Sequence, residues 1–305
     1  MGTLAEQAVE ALNAVYGRHD GYRAVHARGI FCTGRFTPTP EAAALTSAPH
    51  MQGGRVEVTA RFSNASGRPD VSDAGRDARG LAVKFHLPDG GATDLLATNV
   101  RRFYSRTPAD FVAFTRAAAG RAAPLKLARF LVRHPETVGA LREAARLRPP
   151  ESYATTRYNS LHTFRWVDAE GRRRNLRYRW WPAAGESLLP VREAKRRGRD
   201  FLLAELEERL RRGPAEFELQ LIMAAEGDPL DDPNRAWPED RETVPAGRLE
   251  LTELIADPEK GEEVMVFDPT RVVEGIEPSN DPVLAFRPKA YSVSVDARAR
   301  VKPAP

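Results

Sequence analysis

The sequence predicts an α+β fold organised around an antiparallel sheet or barrel. Strand-like segments come in two runs separated by helices, without regular strand–helix–strand alternation. Adjacent strands are joined by short turns such as Asp168-Ala169-Glu170-Gly171, which has hairpin composition. No internal repeat and no long linker divides the 305 residues, so one domain spanning 1–305 is expected.

Taken in order, residues 3–18 set Leu4, Ala8, Leu12 and Val15 at helical spacing, the pattern of an amphipathic helix. Strands are expected at 28–37 and 54–63. In the second, Val56, Val58, Ala60 and Phe62 alternate with Arg55, Glu57, Thr59 and Arg61. A third strand, Leu81 to Leu87, ends at the turn Pro88-Asp89-Gly90-Gly91. Residues 108–148 read as helical, with Pro124 and Pro135 as breaks or first-turn residues. Strands follow at 161–168, 173–181, 217–223 and 247–254, with one Arg- and Glu-rich helix over 190–212. A helix over about 283–300 closes the chain.

Composition narrows the function classes. The 42% hydrophobic content supports a packed core and argues against disorder. The 46 Lys and Arg nearly cancel the 42 Asp and Glu, so the net charge of +4 does not point to nucleic acid. The basic runs at 171–174 and 195–197 read as solvated faces. No stretch approaches the ~20 apolar residues of a membrane span. The first residues lack the basic start and apolar run of a signal peptide, so a cytoplasmic location is expected. The lone cysteine, Cys32, cannot build a disulfide framework, and its apolar surroundings predict a buried, inert thiol. No His, Cys or carboxylate cluster has metal-site spacing, and no phosphate-binding lysine loop is present.

The chemistry is concentrated in four segments. Arg287 and Tyr291 are four residues apart, on one helix face, with Arg298 about two turns further on. A free tyrosine titrates near ~10, and an adjacent cation favours the phenolate that can bind iron. Taken alone, such a pair is most often a surface helix pair. The second segment is Arg23-Ala24-Val25-His26-Ala27-Arg28-Gly29. The third is Arg61-Phe62-Ser63, followed by Asp77-Ala78-Arg79-Gly80-Leu81-Ala82-Val83-Lys84-Phe85. The fourth runs from Asp94-Leu95-Leu96-Ala97-Thr98-Asn99 to Phe103-Tyr104-Ser105-Arg106. Ahead of the helix stands Gly275-Ile276-Glu277-Pro278-Ser279-Asn280-Asp281.

In chain order and with these spacings, from about residue 20 to 298, the segments resemble the haem catalases, and the short chain looks like the minimal, catalase-related peroxidases. The resemblance implies a closed antiparallel barrel of about eight strands with flanking helices. It implies haem b with ferric iron as the cofactor, and a small peroxide and a small organic reductant as reactants. It further implies Tyr291 as the proximal iron ligand, its acidity raised by Arg287. Arg23, Arg61 and Arg298 would neutralise the haem propionates, while Val25, Phe103 and Phe111 would line the haem pocket. His26 would be the distal acid and base, oriented by Ser63, and His162 with Asp281 would lie beneath the proximal face. The family's distal asparagine falls on Thr98 in an ungapped count, with Asn99 next to it, and which one faces the pocket is left open. The implied activity is reduction of hydrogen peroxide and organic hydroperoxides by an external donor. True catalase turnover, hydroperoxide rearrangement of the allene oxide synthase type and haem carriage without turnover are the alternatives. A homodimer is the expected assembly.

Overall fold

The computed structural model describes residues 2–257 and 265–299, with side chains through Asp296 at the C-terminal end. Ten strands are present among the described residues: β1 Gly29–Pro38, β2 Val56–Asn64, β3 Arg79–His86, β4 Ala92–Thr98, β5 Tyr158–Asn159, β6 Phe164–Val167, β7 Arg173–Pro182, β8 Ala215–Met223, β9 Thr243–Ile255 and β10 Ile276–Pro278. Pairing runs β1-β2-β3-β4-β5-β7-β8-β9 and returns to β1, all antiparallel. This is the closed eight-strand barrel that the family resemblance implies. β6 and β10 extend the wall beyond β7.

Strand alternation sorts residues to the two faces of the barrel wall. Phe36, Phe62, Val83, Phe85, Trp180, Phe217, Leu219 and Leu249 fill the interior and are essentially inaccessible to water. Phe36 meets Phe85 and Trp180 edge-on, with centroids 5.1 and 6.1 Å apart. Full burial of each such side chain contributes roughly 1.5–3 kcal/mol. The opposite parity puts Arg61, Ser63, Gly80 and Thr98 on the outer face. There the pairings Gly29–Ser63, Ser63–Gly80, Gly80–Thr98 and Thr98–Asn159 make one continuous row across five strands.

Helices flank the barrel. α1 (Leu4–Tyr16) starts in a capping box between Thr3 and Glu6, and it packs against α3 (Pro108–Ala117) and α8 (Pro282–Ala299). α2 is the short Pro40–Ala43 helix. The segment read as 108–148 divides at its two internal prolines, as expected, into α3, α4 (Ala123–Arg133) and α5 (Thr137–Arg146). The helix expected over 190–212 is instead two, α6 (Val191–Arg196) and α7 (Phe201–Arg212). Gly198, at φ 103, takes a backbone conformation that ends the first helix. β4 is a strand the alternation did not announce, because its outer face carries the ion pair between Asp94 and Lys84, 2.6 Å long and nearly buried, where a solvated residue would ordinarily stand.

Candidate active site

The site is built from the end of the outer row. His26 lies in the connection between α1 and β1, at φ 54, the one non-glycine residue with positive φ among the described residues. Such a backbone costs on the order of 1–3 kcal/mol unless its surroundings hold it. Here they do. The His26 N–H donates to the Ala65 carbonyl at 3.2 Å, and its own carbonyl accepts from Arg61 Nη2 at 2.8 Å. Its Nδ1 lies 2.9 Å from Ser63 Oγ. A Cβ on Gly80 would come 2.9 Å from Ser63 Oγ and 3.1 Å from the His26 ring, so the glycine is what lets the imidazole lie against the wall. A Cβ on Gly29 would come 2.3 Å from the guanidinium carbon of Arg61. Both glycines stand at strand starts, Gly29 opening β1 and Gly80 second in β3, so no glycine inside a strand pattern marked them in the sequence.

Burial first, then the charges of Arg61, Arg23 and Arg287, push the His26 pKa down to about 3. The imidazole is therefore neutral, with Nδ1 engaged by Ser63 and Nε2 left to exchange protons. Arg61 is buried and lies over the Phe31 ring at 5.4 Å. Arg23 donates to the Met265 carbonyl at 3.0 Å and lies 5.9 Å from the Phe267 centroid. Val25, immediately before His26, is half-buried.

Thr98 and Asn99 separate cleanly. Thr98 shares the outer row with Ser63 and Gly80, and its hydroxyl donates to the Arg79 carbonyl at 2.9 Å. With that proton committed, the hydroxyl can only accept from another group. Asn99 closes the strand end: its N–H donates to the Arg79 carbonyl, and its Oδ1 accepts the Arg79 N–H at 2.8 Å. Its carbonyl oxygen is thus committed and its amide hydrogens are not. Asn159, opposite Thr98 on β5, joins the row without having been singled out from sequence.

A second wall is aromatic. Phe103 and Phe111 lie nearly parallel, 5.9 Å apart at 10°. Tyr104 stacks on Phe111 at 5.7 Å and meets Phe114 at 4.6 Å. None of the four is fully buried. Such flat, half-covered rings suit a flat, largely apolar ligand. The side chain of Tyr104 departs from its neighbours by carrying a hydroxyl, whose acidity burial suppresses.

The third wall is α8. Arg287 Nη1 donates to the Tyr291 hydroxyl at 3.0 Å. Asp281 caps the helix through Oδ1, which accepts from the N–H groups of Val283 and Leu284 at 2.8 and 3.3 Å. Its Oδ2 meets His162 Nδ1 at 2.5 Å. Burial and the Arg287 charge hold His162 neutral, down to about 4, against the pull of Asp281. His162 Nε2 and Arg287 Nε are both buried without a hydrogen-bond partner among the described residues. Arg298 lies on the last turn of α8, and its side chain falls outside the described residues.

These residues fit a haem. A phenol coupled to a guanidinium can present an anionic oxygen to iron, arginines can pair with carboxylates, and the stacked rings offer a planar bed. The unpartnered polar atoms at Arg287 and His162, and the side-chain-free Gly80, are features a packed structural core does not need. Among the described residues no three His, Cys, Asp or Glu gather as a metal site of their own.

Comparison with known proteins agrees. A catalase family profile matches residues 9–302, and the chain belongs to the catalase family. That family comprises oxidoreductases acting on peroxide and dependent on haem. The catalase-related peroxidase of Mycolicibacterium paratuberculosis is 43% identical over 98% of this chain and 96% of its own. The catalase-related peroxidase of Synechococcus elongatus is 32% identical over 98% of this chain and 90% of its own. Catalase-2 of Bacillus subtilis is 30% identical over 88% of this chain but only 43% of its own length. No helix among the described residues is long and apolar enough to cross a membrane.

Proposed function

We propose that this chain is a haem-dependent peroxidase that reduces hydrogen peroxide and organic hydroperoxides with an external electron donor. Tyr291, hydrogen-bonded to Arg287, would be the residue that holds the iron of haem b. Arg23, Arg61 and Arg298 would pair with the propionates, and Phe103 and Phe111 would flank the ring. Haem, when bound, supplies the two-electron reduction of the O–O bond, and a small organic reductant returns those electrons. His26, neutral and with Nε2 available, takes the proton from one peroxide oxygen and delivers it to the other as water or alcohol leaves. Ser63 keeps the ring turned for both transfers.

The observation that carries this reading is that one residue links the two ends of the chain. Arg287 is hydrogen-bonded to Tyr291, and its charge also depresses the basicity of His26. The peroxidase assignment is preferred to catalase because Thr98 has no free hydroxyl proton with which to hold a second peroxide. The two relatives matched over nearly their full length also carry the peroxidase name.

The test is an absorption spectrum of the purified, haem-loaded protein, followed by addition of a hydroperoxide and an aromatic reductant. A Soret band with reductant oxidation and little oxygen release is the expected result. Vigorous oxygen release independent of reductant would assign catalase instead. Absence of a Soret band after haem reconstitution would remove the proposal altogether.

A further inference from the structure

α4 is attached to the molecule by one side. Phe130 is its one buried residue, meeting Phe114 edge-on at 5.5 Å and the His134 ring at 4.2 Å. The opposite side carries Leu125 and Val132, seven residues and two turns apart on one line, exposed at 77% and 84%. They are the most exposed large hydrophobic side chains among the described residues. Lys126, Arg129 and Arg133 run along the edge of this apolar line, and all are exposed. None of these cations forms an ion pair among the described residues. There is no Asp or Glu between Phe111 and Pro135.

We propose that the outer face of α4 docks on an anionic phospholipid surface. The helix has the required makeup: an apolar stripe to enter the headgroup region and cations beside it to meet lipid phosphates. A second copy of the chain is a poor occupant, because a self-complementary contact through α4 would bring these cations against their own images. A polyanion such as RNA would satisfy the cations but leave Leu125 and Val132 without a role. On the peroxidase reading above, docking would also set the Phe103–Phe111 wall, reached through Phe114, beside a source of lipid hydroperoxides.

The test is sedimentation of the full chain with vesicles of phosphatidylcholine alone and of phosphatidylcholine with about one-third phosphatidylglycerol. It needs no turnover, so its failure is distinguishable from failure of the peroxidase assignment. Binding to the anionic vesicles only, weakened by salt, is expected. Leu125→Ser with Val132→Ser should weaken it by at least about ten-fold. Lys126→Glu with Arg129→Glu should do so to a similar extent. All four positions are exposed, and an unchanged circular dichroism spectrum and Tm check the fold. Failure of the unaltered chain to bind would overturn the proposal. So would loss of binding in the charge variant alone, which would assign a general polyanion face. A dimer that dissociates in the Leu125→Ser, Val132→Ser variant would assign the stripe to self-association, and would also overturn it.

Discussion

His26 and Tyr291 are anchored in different ways. His26 stands on a strained turn and is fixed from three directions: by the Ala65 carbonyl, by Arg61 and by Ser63. Two of those supports are strand residues whose positions the barrel register sets. Among the described residues Tyr291 has one neighbour of this kind, Arg287, four residues back on the same helix. Its position depends on how α8 is capped and docked, which falls to Asp281, His162 and the packing of α8 against α1 and α3. The histidine wall is therefore rigid because the barrel is. The tyrosine wall is an added element that can be perturbed with the barrel intact.

The sharpest break of that comparison is a pair of variants. His26→Ala should lower hydroperoxide turnover by about 10²–10⁴-fold while haem stays bound. Tyr291→Phe should release haem or shift its spectrum while the barrel remains folded. Steady-state kinetics and the Soret band read the two effects separately. If both variants lose haem equally, the walls are not independent.

A subtler change on the rigid wall comes next. Gly80→Ala puts a methyl group 2.9 Å from Ser63 Oγ and 3.1 Å from the His26 ring. The wall cannot give way, so the imidazole must turn. Turnover should fall on the order of 10²-fold, with the apparent pKa of the rate profile displaced and the Soret band retained. A rate profile identical to the parent's would mean that His26 does not need its observed orientation.

How far the sequence reaches also differs between the walls. The α+β class and most strands follow from the strand pattern, the closed barrel follows from the family resemblance, and the pair Arg287–Tyr291 follows from helical spacing. β4 and the division of the 190–212 helix do not, because they depend on a paired Asp94 and on a single left-handed Gly198. Which polar atoms of Thr98 and Asn99 the Arg79 backbone engages is likewise out of reach of spacing, because it is a property of strand register. Asn159 enters the row only through pairing across about sixty residues of intervening chain.

Acid stability tests the barrel apart from the site. His50 is buried, its ring tilted against Phe85 at 4.9 Å, and burial lowers its pKa to about 4. The unfolded chain binds this proton near pH ~6.5 and the folded chain only near pH 4. Stability is thus fully present above about pH 6.5 and declines as pH falls toward 4. His50→Leu should remove this loss, stabilising the haem-free protein by about 2 kcal/mol at pH ~5 relative to its effect at neutral pH. Urea unfolding at the two pH values measures it. An equal effect at both would show that the side chain acts through packing alone.

The smallest effect expected lies under the tyrosine wall, at Asp281→Asn. The amide oxygen can still accept from Val283 and Leu284, so the helix cap survives, and the stability cost should stay below about 1 kcal/mol. What changes is the partner of His162. A carboxylate requires a proton on Nδ1, whereas an amide nitrogen donates to Nδ1 and moves the proton to Nε2. That nitrogen is buried without a hydrogen-bond partner among the described residues, and the imidazole it belongs to feels the Arg287 charge. A donor there, and the loss of the Asp281 charge, make the surroundings of Arg287 more positive and weaken its freedom to serve Tyr291. Haem affinity should therefore fall several-fold while the unfolding midpoint barely moves. Asp281→Ala, which removes the cap as well, should lower both. Equal behaviour of the two variants would assign Asp281 to the helix cap alone and detach His162 from the tyrosine.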